Sequence, residues 1–389
     1  MAGRGVQVDL NRLLAKAAAT RCHVFLAQVL DGTGPRMAAE QDMARRGWVE
    51  ANSPAEADIL CVCGVVPEDQ GDALERLWDQ LPGPRARTQI TRPEDASTAL
   101  DGSVAELMDM DALREREAAR PTDPDQGGDM HDGGMEHGGM EHGDDGPDME
   151  GMDHGGMEGM DHGGMDMPMP GGIALAGEGT DRDGLNLDVL KVPLGPYLPL
   201  WPAGMVLHCE LQGDVVFAAT VEYAFGQARA HAMDTPDADD RSTLVHYTDL
   251  ASRLLRLAGA TGSAVRVRAI RDAALDGTPQ DASLSGCRRD LEAELSRLRR
   301  NWLLRRTLRG IGSIPAGSGR PVLDGTDVWA RLLGMIEAAA AGAPAAEPEA
   351  RDAAAALPGL VRGQELAVVR LIVASLDLAP ATAHAEFSR

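Results

Sequence analysis

Hydrophobic and polar positions follow alternating strand-like and helix-like periods over residues 18–118. The run "CHVFLAQVL" (22–30) is rich in strand-forming residues, and "ADILCVCGVV" (57–66) is almost continuously apolar, as in a strand buried on both faces. "DQGDALERLWDQL" (69–81) places its leucines on one stripe, which predicts an amphipathic helix that ends at "PGP". These alternating elements predict a small doubly wound, flavodoxin-like α/β domain.

A second folded region is predicted over residues 173–389. "MVLHCELQGDVVFAATVEY" (205–223) alternates like two antiparallel strands around a "QGD" turn, and helical periods follow it. In 283–308 an apolar residue recurs every three or four positions, which predicts one helix with a single buried stripe: Leu284, Cys287, Leu291, Leu295, Leu298 and Trp302. Together these patterns predict an α+β domain with a β-hairpin region and a helical bundle.

The segment between the two domains, residues 119–172, has no apolar periodicity and is rich in Gly, Asp, Met and His. Residues 121–170 contain 14 acidic and no basic residues, and so contribute −14 to the formal net charge of −24. Such a segment cannot bury enough apolar surface to offset its ordering entropy, and we predict a disordered tether. The remaining chain is also acidic, which argues against a nucleic-acid partner.

The tether also contains residue types that bind copper. Ten of 18 methionines and five of 10 histidines fall in residues 130–169, where "HGGM" occurs three times. Thioether suits Cu(I) and imidazole suits Cu(II), and the repeats resemble the Met/His segments of periplasmic copper-resistance proteins. The candidate copper ligands are Met135, His137, Met140, His142, Met152, His154, Met157, Met160, His162 and Met165. A hydrophilic tether that grew by repeat slippage is the alternative, and we rank the tether role before the metal-binding role.

The sequence has no feature typical of a secreted or membrane-spanning protein. The first residues lack the continuous apolar segment of a signal peptide. The apolar run 366–379 is short and contains Arg370 and Asp377, so we expect a packed helix. The five cysteines do not form a secreted disulfide framework. We therefore expect a cytoplasmic protein.

Two stretches of the first domain carry the motifs of a known family. "DMARRGWVEANSPAEADILCVCGVV" is similar to a helix, an "SP-x-x-AD" turn and a strand that ends in "G-x-V". "ALERLWDQLPGPR" is similar to an "AL-x-x-L-x-DQMP-x-P" helix and its exit turn. In these motifs the domain resembles the twenty-kilodalton (B-type) subunit of respiratory complex I and of related [NiFe] hydrogenases. That resemblance implies a [4Fe–4S] cluster, which four thiolates would have to hold.

The second domain carries looser motifs of a partner family. "VPLGPYLPLWPAGMVLHCELQGDVV" is similar to a "GP-x-HP" loop followed by an "L-x-GE-x-V" hairpin, and "RNWLLRRTLRGIG" to a "DN-x-x-x-x-RT-x-GIG" helix end. Here the chain resembles the forty-nine-kilodalton (D-type) subunit, which is related to the hydrogenase large subunit. Because the two families are partners, the resemblance implies that the two domains dock on each other. It also implies other subunits of a complex-I-like assembly as partners, and a peripheral location at the cytoplasmic face of the membrane.

The chain departs from both families at the residues that carry their chemistry. The loops "VLDGTGPR" and "ARTQITRPEDASTALD" contain no cysteine, although the resemblance implies cluster ligands there. Cys61 and Cys63 are candidate cofactor ligands, but two positions apart on one predicted strand they are better explained as small buried residues. The family's quinone-site histidine falls at Leu198, which has no proton to donate. The other candidate donors are Tyr197, His208 and Tyr223.

These departures predict a cluster-less, non-catalytic subunit that connects a complex-I-like assembly to its membrane ion-translocating subunits. Leu198 and Trp201, in the apolar loop 195–204, are the candidate interface residues. One alternative is a redox-active quinone oxidoreductase subunit with a [4Fe–4S] or quinone site that the sequence does not reveal. The other is a copper-sequestering protein that acts through its Met/His tract. We expect the chain not to be catalytic alone and to carry no resident cofactor, with copper bound by the Met/His tract as the alternative.

Deleting residues 130–169 is expected to leave the melting temperature of the metal-free protein unchanged, because the tract has no apolar periodicity to contribute to a core. Copper titration of the intact protein is expected to show several weak Cu(I) sites, since glycine-spaced ligands must be ordered on binding. The deletion variant should lose these sites. One tight saturable site, or a large drop in melting temperature on deletion, would contradict the tether interpretation.

Overall fold

The structure, a computed structural model, describes most of the two predicted domains. The predicted tether, residues 119–172, and its candidate copper ligands lie outside the described residues. The N-terminal part is an α/β domain with a parallel sheet, and the C-terminal part is rich in helices and has a small antiparallel sheet. The predicted fold class is therefore confirmed. The described ranges are 21–67, 70–109, 112, 115, 177–180, 186–223, 240–276, 281–318, 322–342 and 350–378.

Four parallel strands form the N-terminal sheet in the order β2-β1-β3-β4. Two short 3₁₀ turns, at Pro54–Glu56 and Pro93–Asp95, join elements of the domain. The elements are β1 (His23–Gln28), α1 (Thr33–Arg46), β2 (Val49–Glu50), β3 (Ile59–Cys63), α2 (Gly71–Asp79), β4 (Ala86–Ile90) and α3 (Ala96–Met108).

The central strand β3 is buried at every position, as its continuous apolar run predicts. It pairs with β1 and β4, so that Cys61 lies opposite Leu26 on one side and Thr88 on the other. Cys61 and Cys63 face the core that α1 and α3 cover, whereas Leu60 and Val62 face the core that α2 covers. Helices on both faces thus account for a strand without polar alternation.

The C-terminal sheet is antiparallel, in the order β5-β6-β7-β8, and seven described helices follow it. The predicted hairpin is β7 and β8, and Gly213 in its turn has a φ of +64°, a conformation that glycine adopts without strain. The strands are β5 (Gly177–Thr180), β6 (Asn186–Leu194), β7 (Met205–Gln212) and β8 (Val215–Tyr223). The helices are α4 (Asp240–Leu257), α5 (Thr261–Asp276), α6 (Asp281–Arg300), α7 (Trp302–Leu308), α8 (Val328–Ala341), α9 (Ala350–Val361) and α10 (Leu366–Ser375).

The prediction of one helix over 283–308 is wrong, because the chain breaks at Asn301. The Asn301 side chain accepts a hydrogen bond from the backbone N–H of Leu304 at 3.1 Å and so caps a new helix, α7. The new helix buries Leu304 and Leu308, and Trp302, the predicted end of the buried stripe, is 71 % exposed. The buried stripe ends at Leu298.

The apolar segment near the end of the chain is a packed helix, as predicted. α10 buries Val369 and Ile372, and Arg370 donates to the backbone carbonyl of Pro199 at 2.8 Å. Within the described ranges, no helix combines the length and apolar character needed to cross a bilayer.

Candidate functional site at the domain interface

The two domains each insert one side chain into the core of the other. Met37 of α1 is fully buried and belongs to the apolar core of the C-terminal domain. Tyr197, from the loop 195–204, is buried in the N-terminal core beside Leu74, and its hydroxyl donates to the side chain of Gln70. The loop 195–204 therefore packs directly against the α/β domain.

Four buried charged side chains meet where α1 contacts α4 and α5. We call Arg36, Glu40, Asp249 and Arg271 the interface ion cluster; each is at most 5 % exposed. Arg36 contacts Glu40 at 2.5 Å and Asp249 at 2.6 Å. Arg271 contacts Asp249 at 2.6 Å and Glu40 at 2.7 Å. Each arginine thus bridges a carboxylate of the N-terminal domain and one of the C-terminal domain.

A second set of ion pairs extends the cluster towards the surface. Arg268 of α5 lies 2.9 Å from Glu40 and 3.3 Å from Glu50 of β2, and Arg256 of α4 also pairs with Glu50. These contacts again join the two domains. Two acidic residues of the α/β domain therefore receive most of their positive partners from the helical domain.

The pKa values of the two buried carboxylates show that the ion cluster compensates for burial. Burial would raise the pKa of Glu40, but Arg268, Arg36 and Arg271 outweigh it and hold the pKa well below its usual range. Burial likewise opposes ionisation of Asp249, and Arg36, Arg271 and Arg253 lower its pKa. Both side chains are thus carboxylates at neutral pH despite their burial.

A small cleft lies beside the ion cluster, between the two domains. Its volume is about 40 Å³, which is enough for a few waters. It opens at the carboxyl end of β1 and the first turns of α1, opposite the loop 195–204 and α4. The lining residues are Gln28, Leu30, Thr33, Met37, Leu200, Pro202, Ala203, His246, Asp249, Leu250, Arg253, Val373, Ala374, Leu376 and Leu378.

The polar groups of the cleft form local pairs. Gln28 donates to Thr33 at 2.9 Å, and its other side-chain atom, Oε1, is buried with no hydrogen-bond partner. The His246 ring lies 2.6 Å from a carboxylate oxygen of Asp377, which fixes the imidazole as in an oriented acid–base group. Arg253 donates to the backbone carbonyl of Trp201 at 2.6 Å. The cleft lining therefore includes one imidazole that a carboxylate orients, and it includes no cysteine.

The carboxyl ends of β1 and β3 are where an open α/β sheet usually binds its ligand. Here the loops that follow the two strands contact each other closely. The Val29 N–H donates to the Cys63 carbonyl at 3.0 Å, and the Val65 N–H donates to Asp31 at 3.1 Å. A Cβ atom added to Gly32 would lie 1.8 Å from the Cys63 carbonyl oxygen. A side chain at position 32 would therefore collide with the backbone at the end of β3.

The described cysteines do not provide the ligands of a [4Fe–4S] cluster. Cys22, Cys61 and Cys63 are buried in one core of the α/β domain, whereas Cys209 and Cys287 are buried in the C-terminal core. Among the described residues, no three His, Cys, Asp or Glu side chains are placed to hold a metal ion. Four converging thiolates are needed, and the donor set therefore does not fit the cluster that the family resemblance implies.

The buried thiols also resist ionisation. The contact with Cys61, 3.9 Å between the two sulfur atoms, and then burial raise the pKa of Cys63 well above its usual value. Burial raises the pKa of Cys22 and of Cys209 to about 11. Because the thiolate is the metal-binding form, these side chains behave as small apolar core residues.

The other sequence-predicted site residues lie at separate places. Trp201 is 3 % exposed in the C-terminal core and donates to the Met205 carbonyl at 2.9 Å, and Leu198 packs partly buried against the same core. His208 is exposed on β7 and lies 2.7 Å from Glu222. Tyr197 alone of this group enters the N-terminal core. The candidate quinone-site donors Tyr197 and His208 are thus not brought together.

Sequence reasoning did not identify the ion cluster or the His246–Asp377 pair. One local signal was available: Arg36 and Glu40 are four residues apart, the spacing of an ion pair on a helix. The other half of the cluster could not be found from spacing, since Asp249 lies 213 positions from Arg36.

Comparison with known proteins finds short similarities to B-type subunits. The chain is 42% identical over 48 residues to the B-type subunit of NADH-quinone oxidoreductase from Amoebophilus asiaticus, which is 12% of this chain and 30% of that protein. It is 37% identical over 65 residues to the B-type subunit of F(420)H(2) dehydrogenase from Methanosarcina mazei, covering 16% of this chain and 35% of that protein. No protein-family model matches the chain.

A third relative, the B-type subunit of NADH-quinone oxidoreductase from Bacteroides thetaiotaomicron, is 45% identical over 49 residues, which is 12% of this chain and 25% of that protein. The chain therefore spans about a third or less of the length of the curated relatives it matches. These similarities support the resemblance to the twenty-kilodalton subunit family. The resemblance to the forty-nine-kilodalton subunit stays a prediction.

Replacing Arg271 by methionine is expected to lower the free energy of unfolding by about 3–5 kcal/mol, because Glu40 and Asp249 would stay buried with one shared cation removed. Arg92→Met is the matched control. Arg92 is exposed and pairs with Glu94 at 3.0 Å, so its loss should cost less than about 1 kcal/mol. Chemical denaturation of both variants measures the difference, and equal losses would show that the ion cluster has no special role.

The same carboxylates predict the acid sensitivity of the protein. A carboxylate whose pKa is lowered by folding contributes stability above its unfolded pKa and loses it as the pH falls through the folded value. For Glu40 and Asp249 that loss begins below about pH 4, near the usual carboxylate pKa. We expect Glu40→Gln to be less stable than the parent at neutral pH and less sensitive to acid. If the unfolding free energies of the parent and of Glu40→Gln changed equally with pH, Glu40 would not be a source of the acid sensitivity.

Proposed function

We propose that this chain is a subunit of a complex-I-like assembly in which two partner-type domains are joined in one polypeptide and neither domain carries a redox centre. In this proposal it is a structural connector between the assembly and its membrane ion-translocating subunits. Its partners are then other subunits of such an assembly.

The observation that carries the proposal is the direct contact of the loops at the carboxyl ends of β1 and β3. The chain keeps short similarity to B-type subunits. The hydrogen bonds of Val29 and Val65 and the close approach of Gly32 hold together the two loops at which an open sheet usually binds its ligand. The adjoining loops contain no cysteine. This combination supports a B-type fold retained for its contacts rather than for electron transfer.

The domain interface supports a connecting role. The interface ion cluster fixes α1 of one domain to α4 and α5 of the other through four buried charges. A connector must hold the faces of its two domains in one arrangement, and buried, mutually paired charges tolerate little displacement.

The small size of the cleft also supports a connector role rather than a redox-active one. Its volume of about 40 Å³ is far below the roughly 300 Å³ of a typical small-molecule pocket. The His246–Asp377 pair is an oriented acid–base group, but the cleft lining offers no thiol and no room for a ring-sized substrate.

Metal analysis of the purified full-length protein tests the absence of a redox centre. We expect a colourless protein without stoichiometric iron and sulfide, and Cys61→Ser should lower the unfolding free energy by only about 1 kcal/mol, as a small core substitution does. A brown protein whose iron, sulfide and visible absorption disappear together in Cys61→Ser or Cys63→Ser would establish the redox-active alternative.

Crosslinking mass spectrometry in native membranes tests the connector role. We expect crosslinks from both domains to subunits of a complex-I-like or membrane-hydrogenase-like assembly. Crosslinks that join the chain only to itself, in membranes where such an assembly is present, would contradict the proposal.

A further inference from the structure

The junction of α6 and α7 exposes two large apolar side chains that the bundle does not use. Trp302 is 71 % and Leu303 is 61 % exposed, and they are consecutive. The same helix buries Leu304 and Leu308, so its core-facing side is already occupied. Trp302 and Leu303 therefore lie on the solvent face, where a soluble helix normally carries polar residues.

Arginines surround this apolar pair. Residues 295–309 contain six arginines and no acidic residue, in a chain whose formal net charge is −24. Arg297 pairs with Glu294 and Arg299 pairs with Glu337. The other four, Arg300, Arg305, Arg306 and Arg309, are exposed and form no ion pair with any residue that the structure describes.

The spacing places cations and apolar groups on one surface. Arg305 and Arg306 follow Trp302 by three and four positions, and Arg306 follows Leu303 by three, so these side chains are neighbours on α7. We define the α7 surface as Arg300, Trp302, Leu303, Arg305, Arg306 and Arg309. It combines an exposed aromatic and aliphatic pair with four positive charges that have no ion-pair partner among the described residues.

We propose that the α7 surface docks the protein peripherally on an anionic lipid membrane, with Trp302 and Leu303 entering the headgroup region and the arginines contacting lipid phosphates. Charge complementarity supports this occupant, because a cluster of arginines is drawn to anionic lipid. Trp and Leu opposite or beside Arg are typical of interfacial segments that lie on a bilayer without spanning it.

Other occupants fit this surface less well. A stable protein–protein interface buries about 800 Å² on each partner, and two apolar side chains supply only a small part of that area. A second copy docked face to face would bring two sets of these four arginines together. A lipid surface needs neither a large complementary area nor a fixed partner. This inference goes beyond the proposed function, since it concerns lipid and not the other subunits.

Vesicle sedimentation of the full-length protein tests the proposal. The probes are vesicles of phosphatidylcholine alone and vesicles of equal parts phosphatidylglycerol and phosphatidylcholine. We expect binding to the anionic vesicles only, and release at high salt, since salt at about 1 M shortens the screening length to about 3 Å. Binding to neither vesicle, or equal binding to both, would overturn the proposal.

Two double variants assign the binding to this surface. Trp302→Ala with Leu303→Ala, and Arg305→Gln with Arg306→Gln, are each expected to lower partitioning roughly tenfold or more. Phe217→Ala with Val265→Ala removes exposed apolar side chains elsewhere, 43 % and 60 % exposed, and should leave partitioning unchanged. Unchanged melting temperatures show that all three proteins fold. If the control variant loses binding as much as the α7 variants, the assignment is wrong.

A protein interface at the same place would give a different result. In that case the wild-type protein would bind neither kind of vesicle. Detergent-solubilised membrane subunits would retain the wild-type protein but would not retain the Trp302→Ala, Leu303→Ala variant. That outcome would also reject the lipid proposal.

Discussion

Four buried charges at the contact of two domains set the arrangement on which the rest of this structure depends. Each domain contributes one arginine and one carboxylate: Arg36 and Glu40 from one, Asp249 and Arg271 from the other. Removing an ion from water costs several kcal/mol, and it is tolerated only where partners surround the charge. Within the cluster, each carboxylate contacts one arginine of its own domain, and docking adds one from the other domain. Apolar surfaces can slide past one another, whereas a change of register here would leave buried charges without their partners.

That register determines what happens at the carboxyl end of the parallel sheet. It brings the loop 195–204 against the α/β domain, so that Tyr197 fills a position in the N-terminal core while Met37 fills one in the C-terminal core. The cleft beside the ion cluster has a volume of about 40 Å³. Beside it, the loops after β1 and β3 bond to each other directly. A place that sheets of this kind use for ligands is thus used here for contacts within the chain, which supports the proposed connecting role.

The sequence allowed the local elements to be predicted but not their long-range partners. The continuous apolar run of β3 and the turn at Gly213 are encoded in neighbouring residues, so period and composition were sufficient. The break at Asn301 was not predictable from period, because the apolar spacing continues correctly through Trp302 while the Asn301 side chain starts a new helix. The ion cluster was not predicted for a different reason. Arginine and carboxylate residues are mostly exposed, and only the docking of distant helices buries these four.

Cleavage of the folded chain between its domains tests most directly whether the ion cluster holds them together. A protease site introduced between residues 119 and 172 would be cut in the full-length protein, and the products separated by size-exclusion chromatography at neutral pH. We predict that the two halves of the parent protein elute as one complex and that those of Arg271→Met separate. Separation of the parent halves after cleavage, with both still folded, would contradict the central role given to the buried charges.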